Sequence, residues 1–402
     1  MRVAYLLLWF PERSQTFILD EANTLVRLGL DLRVYTLYGP RRPGRVAGMG
    51  PVLPPVAHLG SAALPVVLRD LARVRGRFGP GAAPFLKQVL FRRWRSLETL
   101  GEALWATLAG VHLAGRLKEA GLDHLHAPWA DGPATAAWVA SQLSGIPFSF
   151  CAHAHDIYPP DGALGEKLAA AALVRVISEV NRRYLAALAP ASAHKLVTIY
   201  YGVPLKAVPG PPRMPGPPYR LLALGRFVDT KGFPGLLQAC RELAAGGLDF
   251  QLTLAGAGLQ RARLVFLVKK YGLARRVDFP GFVPHLQVPG LFHRADLFVM
   301  PCRIDRRGNR DGIPNVILEA LAHEVPVVAT DVSGIAEAVR PGETGWLVPP
   351  DDPRALAQAV REALANPAEA RRRARAGREL VAWKFDSREN YARLKACFEG
   401  LA

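Results

Sequence analysis

Two carboxylates, Asp311 and Glu319, bracket the stretch Asp311-Gly312-Ile313-Pro314-Asn315-Val316-Ile317-Leu318-Glu319. The apolar spacing predicts a helix over about Pro314–Ala322 with Pro314 at its first position, where a missing N–H costs nothing. The amides of Asn315, Val316 and Ile317 are then expected to be open donors at the positive end of the helix dipole, an arrangement suited to a diphosphate. Asp311, with Gly312 and Ile313 beside it in the entry loop, is placed to accept hydrogen bonds from sugar hydroxyls. Glu319, more than a turn into the helix, suits a ribose diol. The same two residues also fit a surface-loop aspartate and a glutamate on a solvated helix face.

A second group, Gly225-Arg226-Phe227-Val228-Asp229-Thr230-Lys231-Gly232, follows a predicted strand at Arg220–Leu224. Arg226 offers a planar fork and Lys231 a mobile point charge, a cation pair for two phosphates. Such a pair can offset the negative charge that grows on a departing nucleoside diphosphate. A basic surface loop explains the residues equally simply. A third group, Cys151-Ala152-His153-Ala154-His155-Asp156, lies past a predicted strand at Phe148–Cys151. His153 and Asp156 there suit hydrogen bonding to a ligand. His126, in His124-Leu125-His126, ends another strand and reads either as a ligand contact or as a satisfied core histidine. In Phe10-Pro11-Glu12-Arg13-Ser14-Gln15-Thr16 the residues Ser14, Gln15 and Thr16 follow the first strand, in a turn expected to face the cleft between the domains. Ser14 and Thr16 are also good helix caps. No Cys/His cluster completes a metal set around His153 and Asp156, so no metal is expected.

The elements that must carry these residues form two alternating runs of strand and helix. Strands are predicted at Val3–Trp9, Leu32–Leu37, His124–His126, Phe148–Cys151, Leu173–Ile177 and Leu196–Ile199, with a helix over about Phe17–Gly29. A Pro-rich linker, 204–218, resists helix and sheet. Beyond it, strands read at Arg220–Leu224, Gln251–Ala255, Val277–Phe279, Leu297–Met300 and Val327–Ala329. Helices fall at about Gly235–Ala245, Gln260–Tyr271, Pro314–Ala322 and Pro353–Ala365. Short apolar strands alternating with helices predict parallel sheets covered on both faces. Residues 1–203 and 219–383 are thus expected to be separate doubly wound α/β domains, with 384–402 a helix packing back on the first. In such sheets ligands bind beyond the carboxyl ends of the strands, so the expected site is a cleft between the domains.

Taken together, these segments resemble the retaining glycosyltransferases of family four, which have the GT-B fold: two Rossmann-like domains facing each other across a cleft. The resemblance spans most of the chain. It rests on the turn Phe10-Pro11…Ser14…Thr16-Phe17-Ile18, His153 at a strand end, the pair Arg226 and Lys231, and Glu319–Ala322 within the helix-entry motif. It is strongest toward the subgroup of exopolysaccharide and colanic acid synthesis. The resemblance implies that Gly225, Arg226, Lys231 and the segment Gly312–Val316 hold the donor diphosphate and Glu319 its ribose. It further places position 311 on the donor sugar hydroxyls and His153 near the transferred sugar. It implies a nucleotide-diphosphate sugar as donor, no cofactor or metal, and a glycan or lipid-linked acceptor held by the first domain. The family commonly has glutamate at position 311. The shorter Asp311 keeps the charge and changes its reach.

Composition narrows the alternatives. The 402 residues carry 51 Lys+Arg against 34 Asp+Glu, a net charge of +17, which favours phosphorylated small molecules, an anionic membrane or nucleic acid. No zinc-finger, helix-turn-helix or single-strand platform signature supports nucleic acid. A basic amphipathic stretch, Leu64–Leu100, mixes Phe85, Leu86, Phe91 and Trp94 with Arg69, Arg73, Arg75, Arg77, Lys87, Arg92, Arg93 and Arg95. It suits an anionic membrane surface or, as simply, a solvated helix pair. The apolar start, Val3–Trp9, lacks a cleavage site and reads as a buried strand rather than a signal peptide. Four scattered cysteines fit reduced thiols, so the expected location is cytoplasmic, peripheral at the inner face of a membrane. A sugar-nucleotide epimerase on the same scaffold is the rival enzymatic reading.

Overall fold

A computed structural model describes residues 1–40, 49–60, 63–92, 94, 96–205 and 215–401. Residues 206–214 of the Pro-rich linker, and Arg93 and Arg95 of the basic stretch, lie outside the described residues. The chain forms two compact units, Met1–Tyr200 with Arg388–Ala402, and Tyr201–Ser387.

Unit 1 runs β1 (Arg2–Leu7), α1 (Thr16–Arg27), β2 (Asp31–Thr36), β3 (Val56–His58), α2 (Leu64–Ala72), α3 (Val74–Phe78), α4 (Ala82–Leu90) and α5 (Leu97–Glu119). It continues with β4 (His124–Ala127), α6 (Gly132–Ser144), β5 (Phe148–Ala152), α7 (Leu164–Ala170), β6 (Leu173–Val176), α8 (Glu179–Leu188) and β7 (Leu196–Thr198). The strands pair in the order β3-β2-β1-β4-β5-β6-β7, and every pairing is parallel. Strands β4, β5 and β6 are buried along their whole length, as a sheet covered on both faces requires.

Unit 2 runs β8 (Tyr219–Leu224), α9 (Phe233–Ala245), β9 (Phe250–Ala255), α10 (Arg261–Lys270), β10 (Val277–Asp278), α11 (Val288–Arg294) and β11 (Leu297–Met300). Then come α12 (Asn315–Ala322), β12 (Val327–Thr330), β13 (Trp346–Val348), α13 (Pro353–Ala365) and α14 (Pro367–Lys384). Its sheet order is β10-β9-β8-β11-β12-β13, again all parallel. The last helix, α15 (Ser387–Glu399), returns the chain to unit 1. There the Phe398 ring packs against Tyr5, His124 and His126, with centroids 6.5, 5.5 and 5.1 Å away.

In each sheet the strand order reverses beside the first strand, between β1 and β4 and between β8 and β11. Loops leaving the carboxyl ends of those strands diverge and leave a crevice where ligands settle. In unit 2 these are the loops carrying Arg226–Lys231 and Asp311–Pro314. In unit 1 they are the loops after Leu7 and after Ala127.

Unit 1 also holds a buried polar network. Arg175 on β6 pairs with Glu21 on α1, both with fully buried side chains. Tyr5 donates to Glu21 at 3.0 Å, while Arg175 donates to the Ile199 and Tyr200 carbonyls at 2.9 and 3.2 Å. Burial and the Glu21 charge push the Tyr5 phenol well above its ordinary value. Each charge is compensated, which is the condition for keeping ions inside a core.

Candidate functional site

The loop after β8 is shaped by glycines. Gly232 has φ +66°, and a Cβ there would lie 1.8 Å from the Pro301 carbonyl oxygen. Gly256 and Gly258, in the loop after β9, would bring side-chain carbon to 1.9 Å of the Gly225 oxygen and 2.6 Å of the Phe227 oxygen. Only glycine lets these backbones touch. The contact is fastened by Gly225 N–H on the Ala255 carbonyl and Phe227 N–H on the Ala257 carbonyl, at 3.0 and 2.8 Å. Between them, Asp229–Lys231 make a single 3-10 turn.

That turn aims Lys231 inward. Its Nζ lies 3.1 Å from Asp311 Oδ1, with both side chains largely buried. Burial alone would raise the Asp311 carboxyl. The Lys231 ammonium, the nearby Arg226 charge and a Thr230 hydrogen bond outweigh it and hold Asp311 below its ordinary value. Cys302, beyond β11, donates to Asp311 Oδ2 at 3.7 Å. Burial first, and then the Asp311 charge, push this thiol well up. Arg226 is exposed. The region thus pairs a buried, ionised Lys–Asp couple with an exposed guanidinium.

Asp311 leads into α12, where two expectations need correction. Pro314 is the N-cap residue, with ψ 124°, and the helix begins at Asn315. The Ile317 amide is not open: it donates to the Pro314 carbonyl at 2.9 Å. A proline with extended ψ turns its carbonyl into the first helical turn, and the third amide closes on it. No partner among the described residues is found for the Asn315 or Val316 amide, so two open donors remain where three were expected. Gly312 is partly exposed, and Ile313 and Pro314 are buried. Glu319 lies in the second turn, and burial pushes its carboxyl up to about 7. Among the described residues its carboxylate has no hydrogen-bond or ion-pair partner.

In unit 1 the structure separates the candidates. His153, just past β5, is buried and stacks on Trp129 with centroids 4.1 Å apart at 26°. Phe17 lies 6.0 Å from it. Asp156 accepts the His153 backbone N–H at 2.8 Å and the Ala130 N–H at 2.7 Å, fastening the loops after β4 and β5 together. Its Oδ2 is 3.5 Å from His153 Nδ1. His126 is instead a core residue, fully buried under Tyr5 and Phe398. Its Nδ1 is 2.8 Å from Ser149 Oγ, and the same hydroxyl is 2.6 Å from His124 Nε2. Burial lowers both rings, His124 to about 4.

The capping reading of Ser14 and Thr16 is also overturned. Ser14 sits inside a 3-10 turn, Arg13–Gln15, and Thr16 is the first residue of α1. Gln15 is the N-cap residue, without a side-chain bond to the helix. The turn is closed by the backbone, Gln15 N–H on the Glu12 carbonyl at 2.9 Å, so no hydroxyl is required. Ser14 is exposed, and Gln15 and Thr16 partly so.

Residues 210–380 match the family model of glycosyl transferases group 1. That match covers most of unit 2. The chain is 37% identical over 150 residues to the putative colanic acid biosynthesis glycosyltransferase WcaL of Salmonella typhimurium, covering 37% of each chain. It is thus aligned with little over a third of that relative's length. Over 92% of its own length and 94% of the relative's, it is 28% identical to 2-deoxystreptamine glucosyltransferase of Streptomyces kanamyceticus. The crystal structure of Anabaena HepE in complex with UDP superposes with a TM-score of 0.72 at 17% identity, covering 100% of both chains. That likeness shows the fold, GT-B.

In unit 2, sequence spacing singled out Arg226, Lys231, Asp311 and Glu319 and passed over Thr230 and Cys302, which both bond Asp311. Thr230 stood inside the quoted motif; only the 3-10 turn reveals that it faces the carboxylate. In unit 1, Trp129 went unread, because nothing local marks it as a neighbour of His153. Among the described residues, no group of three or more His, Cys, Asp or Glu side chains is arranged to hold a metal ion. No helix among them is long and apolar enough to cross a membrane.

Proposed function

We propose that the chain is a retaining glycosyltransferase, moving a sugar from a nucleotide-diphosphate donor to a glycan or lipid-linked acceptor in cell-surface polysaccharide synthesis. The observation that carries this reading is the gathering of Lys231, Asp311, Arg226 and the open amides of Asn315 and Val316 at the reversal point of the group 1 sheet. A diphosphate there meets the helix dipole, one buried ammonium and one exposed guanidinium. As the glycosidic bond breaks, negative charge builds on the leaving diphosphate, and these fixed donors stabilise it without a metal. Asp311, kept ionised by Lys231, accepts hydrogen bonds from the donor sugar hydroxyls. Glu319 takes the ribose diol. His153 contacts the transferred sugar, and unit 1 takes the acceptor. With no side chain among the described residues placed as a dedicated nucleophile, the acceptor hydroxyl attacks on the face of the leaving group, and the leaving phosphate receives its proton.

The relatives support the sugar-transfer class, and HepE's bound UDP supports a uridine nucleotide as the first donor to try. Donor turnover is measured for the wild type, Arg226→Ala and Lys231→Ala against a panel of UDP-, GDP- and ADP-sugars. Removing a fixed charge from a developing oxyanion costs about 10²–10³ in kcat, and losses of that order are expected for each variant. A kcat within a few-fold of wild type for both would overturn these roles. Conversion of donor to an isomer without acceptor would point to the epimerase instead.

A further inference from the structure

The 3-10 turn that presents Lys231, Asp229–Lys231, is held in two different ways along its length. Its second half is held by backbone. The Thr230 carbonyl accepts the Arg303 N–H at 2.9 Å, and Gly232 lies against the Pro301 carbonyl. Its first residue is held by side chains. Asp229 Oδ1 accepts a hydrogen bond from Gln260 Nε2, at the end of the loop after β9, at 3.2 Å. The same oxygen lies 3.5 Å from Arg303 Nη1.

Arg303 follows Cys302 in the loop after β11 and reaches two carboxylates at once. While Nη1 faces Asp229, Nε lies 2.8 Å from Asp351 Oδ1, a charge contact rather than an aligned hydrogen bond. Asp351 belongs to the loop after β13. Its backbone is left-handed, with φ +59°, a conformation that aspartate tolerates better than most residues. The next residue, Asp352, caps α13 by accepting the Arg354 and Ala355 N–H groups at 3.0 Å each. The Asp351 end of the bridge is therefore fixed to a helix. A planar guanidinium presents a rigid fork to both carboxylates, whereas an ammonium would meet them as a single point charge.

As stabilising ion pairs these contacts are weak. The side chains of Arg303, Asp229 and Asp351 are 33%, 37% and 55% exposed, and water screens such pairs until they add little to stability. Their effect is geometric. One side chain joins the loops after β8 and β13, which lie on opposite sides of its own strand in the sheet. It thereby fixes the start of the turn whose last residue, Lys231, sits 3.1 Å from Asp311. A misplacement of about 1 Å at a reacting centre can cost about a hundredfold in rate.

We infer that Arg303 is a positioning residue for donor turnover: by bridging Asp229 and Asp351 it sets where Lys231 presents its ammonium to the leaving diphosphate. The inference rests on the donor role proposed for Lys231. Arg303 acts through the turn and not by contact with the donor.

The test follows nucleotide release from UDP-glucose, GDP-mannose and ADP-glucose by the full chain, as kcat and KM for whichever the wild type turns over. The variants are Arg303→Ala, Arg303→Gln, Lys231→Met, and Arg303→Ala combined with Lys231→Met. Each Arg303 variant is expected to lose about tenfold in kcat, less than a full ångström of displacement would cost, and to keep the wild-type melting temperature. The double variant should fall no further than Lys231→Met alone, because residues that act as a unit are not additive. The acid limb of the kcat profile is a second readout. Lys231 counters the burial that would raise the Asp311 carboxyl. A lysine that drifts lets that carboxyl rise, so the limb should move to higher pH in Arg303→Ala. A merely structural arginine would leave the limb in place, and its loss would multiply with that of Lys231→Met. That pattern overturns the inference, as does a wild-type kcat in both Arg303 variants beside an impaired Lys231→Met. If Lys231→Met itself keeps the wild-type kcat, or the wild type releases nucleotide from none of the three donors, the donor reading falls and the inference with it.

Discussion

Glu319 shows how a single residue links burial to a measurable pH dependence. Its carboxyl, pushed up to about 7 by burial, is half protonated near neutrality, and only the ionised form accepts two ribose hydroxyls. Nucleotide affinity is therefore expected to rise from about pH 6 to about pH 8, and Glu319→Gln should flatten that profile; isothermal titration at the two pH values checks it. Stability moves the opposite way. A raised carboxyl holds its proton more tightly in the folded state, so its contribution favours folding below the unfolded value of 4.5 and is lost as pH rises toward about 7. The melting temperature of Glu319→Gln should thus fall less than that of the wild type over this window. The proposed donor residues were legible in the sequence because they are close in the chain and carry charge. His126 was not, since a histidine at a strand end looks the same whether it faces a ligand or, as here, Tyr5 and Phe398. The partners that decide the matter come from the far ends of the chain.

At the scale of elements, the long buried strands read directly from their apolar runs, and the edges did not. Strands β3 and β13 have three residues each, too few for any periodicity, and their pairing with β2 and β12 is what makes them strands. Helix α6 also escaped reading. It is buried on nearly every face, so its sequence has no polar stripe to show a 3.6-residue period. Backbone shape between elements was likewise hidden: Lys231-Gly232 reads as a simple motif, yet the glycine is demanded by both φ +66° and the Pro301 carbonyl 1.8 Å from a would-be Cβ. Gly232→Ala must therefore displace either the 3-10 turn or the start of the loop after β11. We expect it to cost more than the ~1 kcal/mol of an ordinary left-handed alanine and to weaken nucleotide binding, because Lys231 and Asp311 move apart. Thermal unfolding with and without nucleotide measures both effects. A stable variant with wild-type nucleotide affinity would show that the glycine only serves the turn.

For the whole molecule, the net charge of +17 was plain from composition, but where it is available for binding was not. Of the basic stretch after β3, Arg77 is engaged with Glu119 at 2.7 Å and Arg92 with Glu166 at 2.8 Å. Phe85 and Trp94, two of its aromatics, pack against the core, and Leu86 lies within it, so they do not form a surface as the amphipathic reading had them. Exposed along it are Leu64, Val66 and Leu68, together with Arg69, Arg73, Arg75 and Lys87 and, further on, Phe91 and Leu97. Exposed leucines beside Arg69 on one short helix, with Arg73 and Arg75 just beyond it, are the composition of an interfacial element, and each buried methylene contributes about 0.8 kcal/mol. We propose that α2 and its flank rest on an anionic bilayer, which would bring unit 1 to a lipid-linked acceptor. Co-sedimentation with vesicles containing phosphatidylglycerol at low salt is expected for the wild type and should weaken as salt screens the arginines. Leu64→Glu with Leu68→Glu should abolish it at every salt concentration, whereas Arg69→Glu with Arg73→Glu should leave only the weak binding seen with neutral vesicles. A wild-type protein that stays in the supernatant at low salt would remove the membrane from the proposal and leave these leucines for a protein partner.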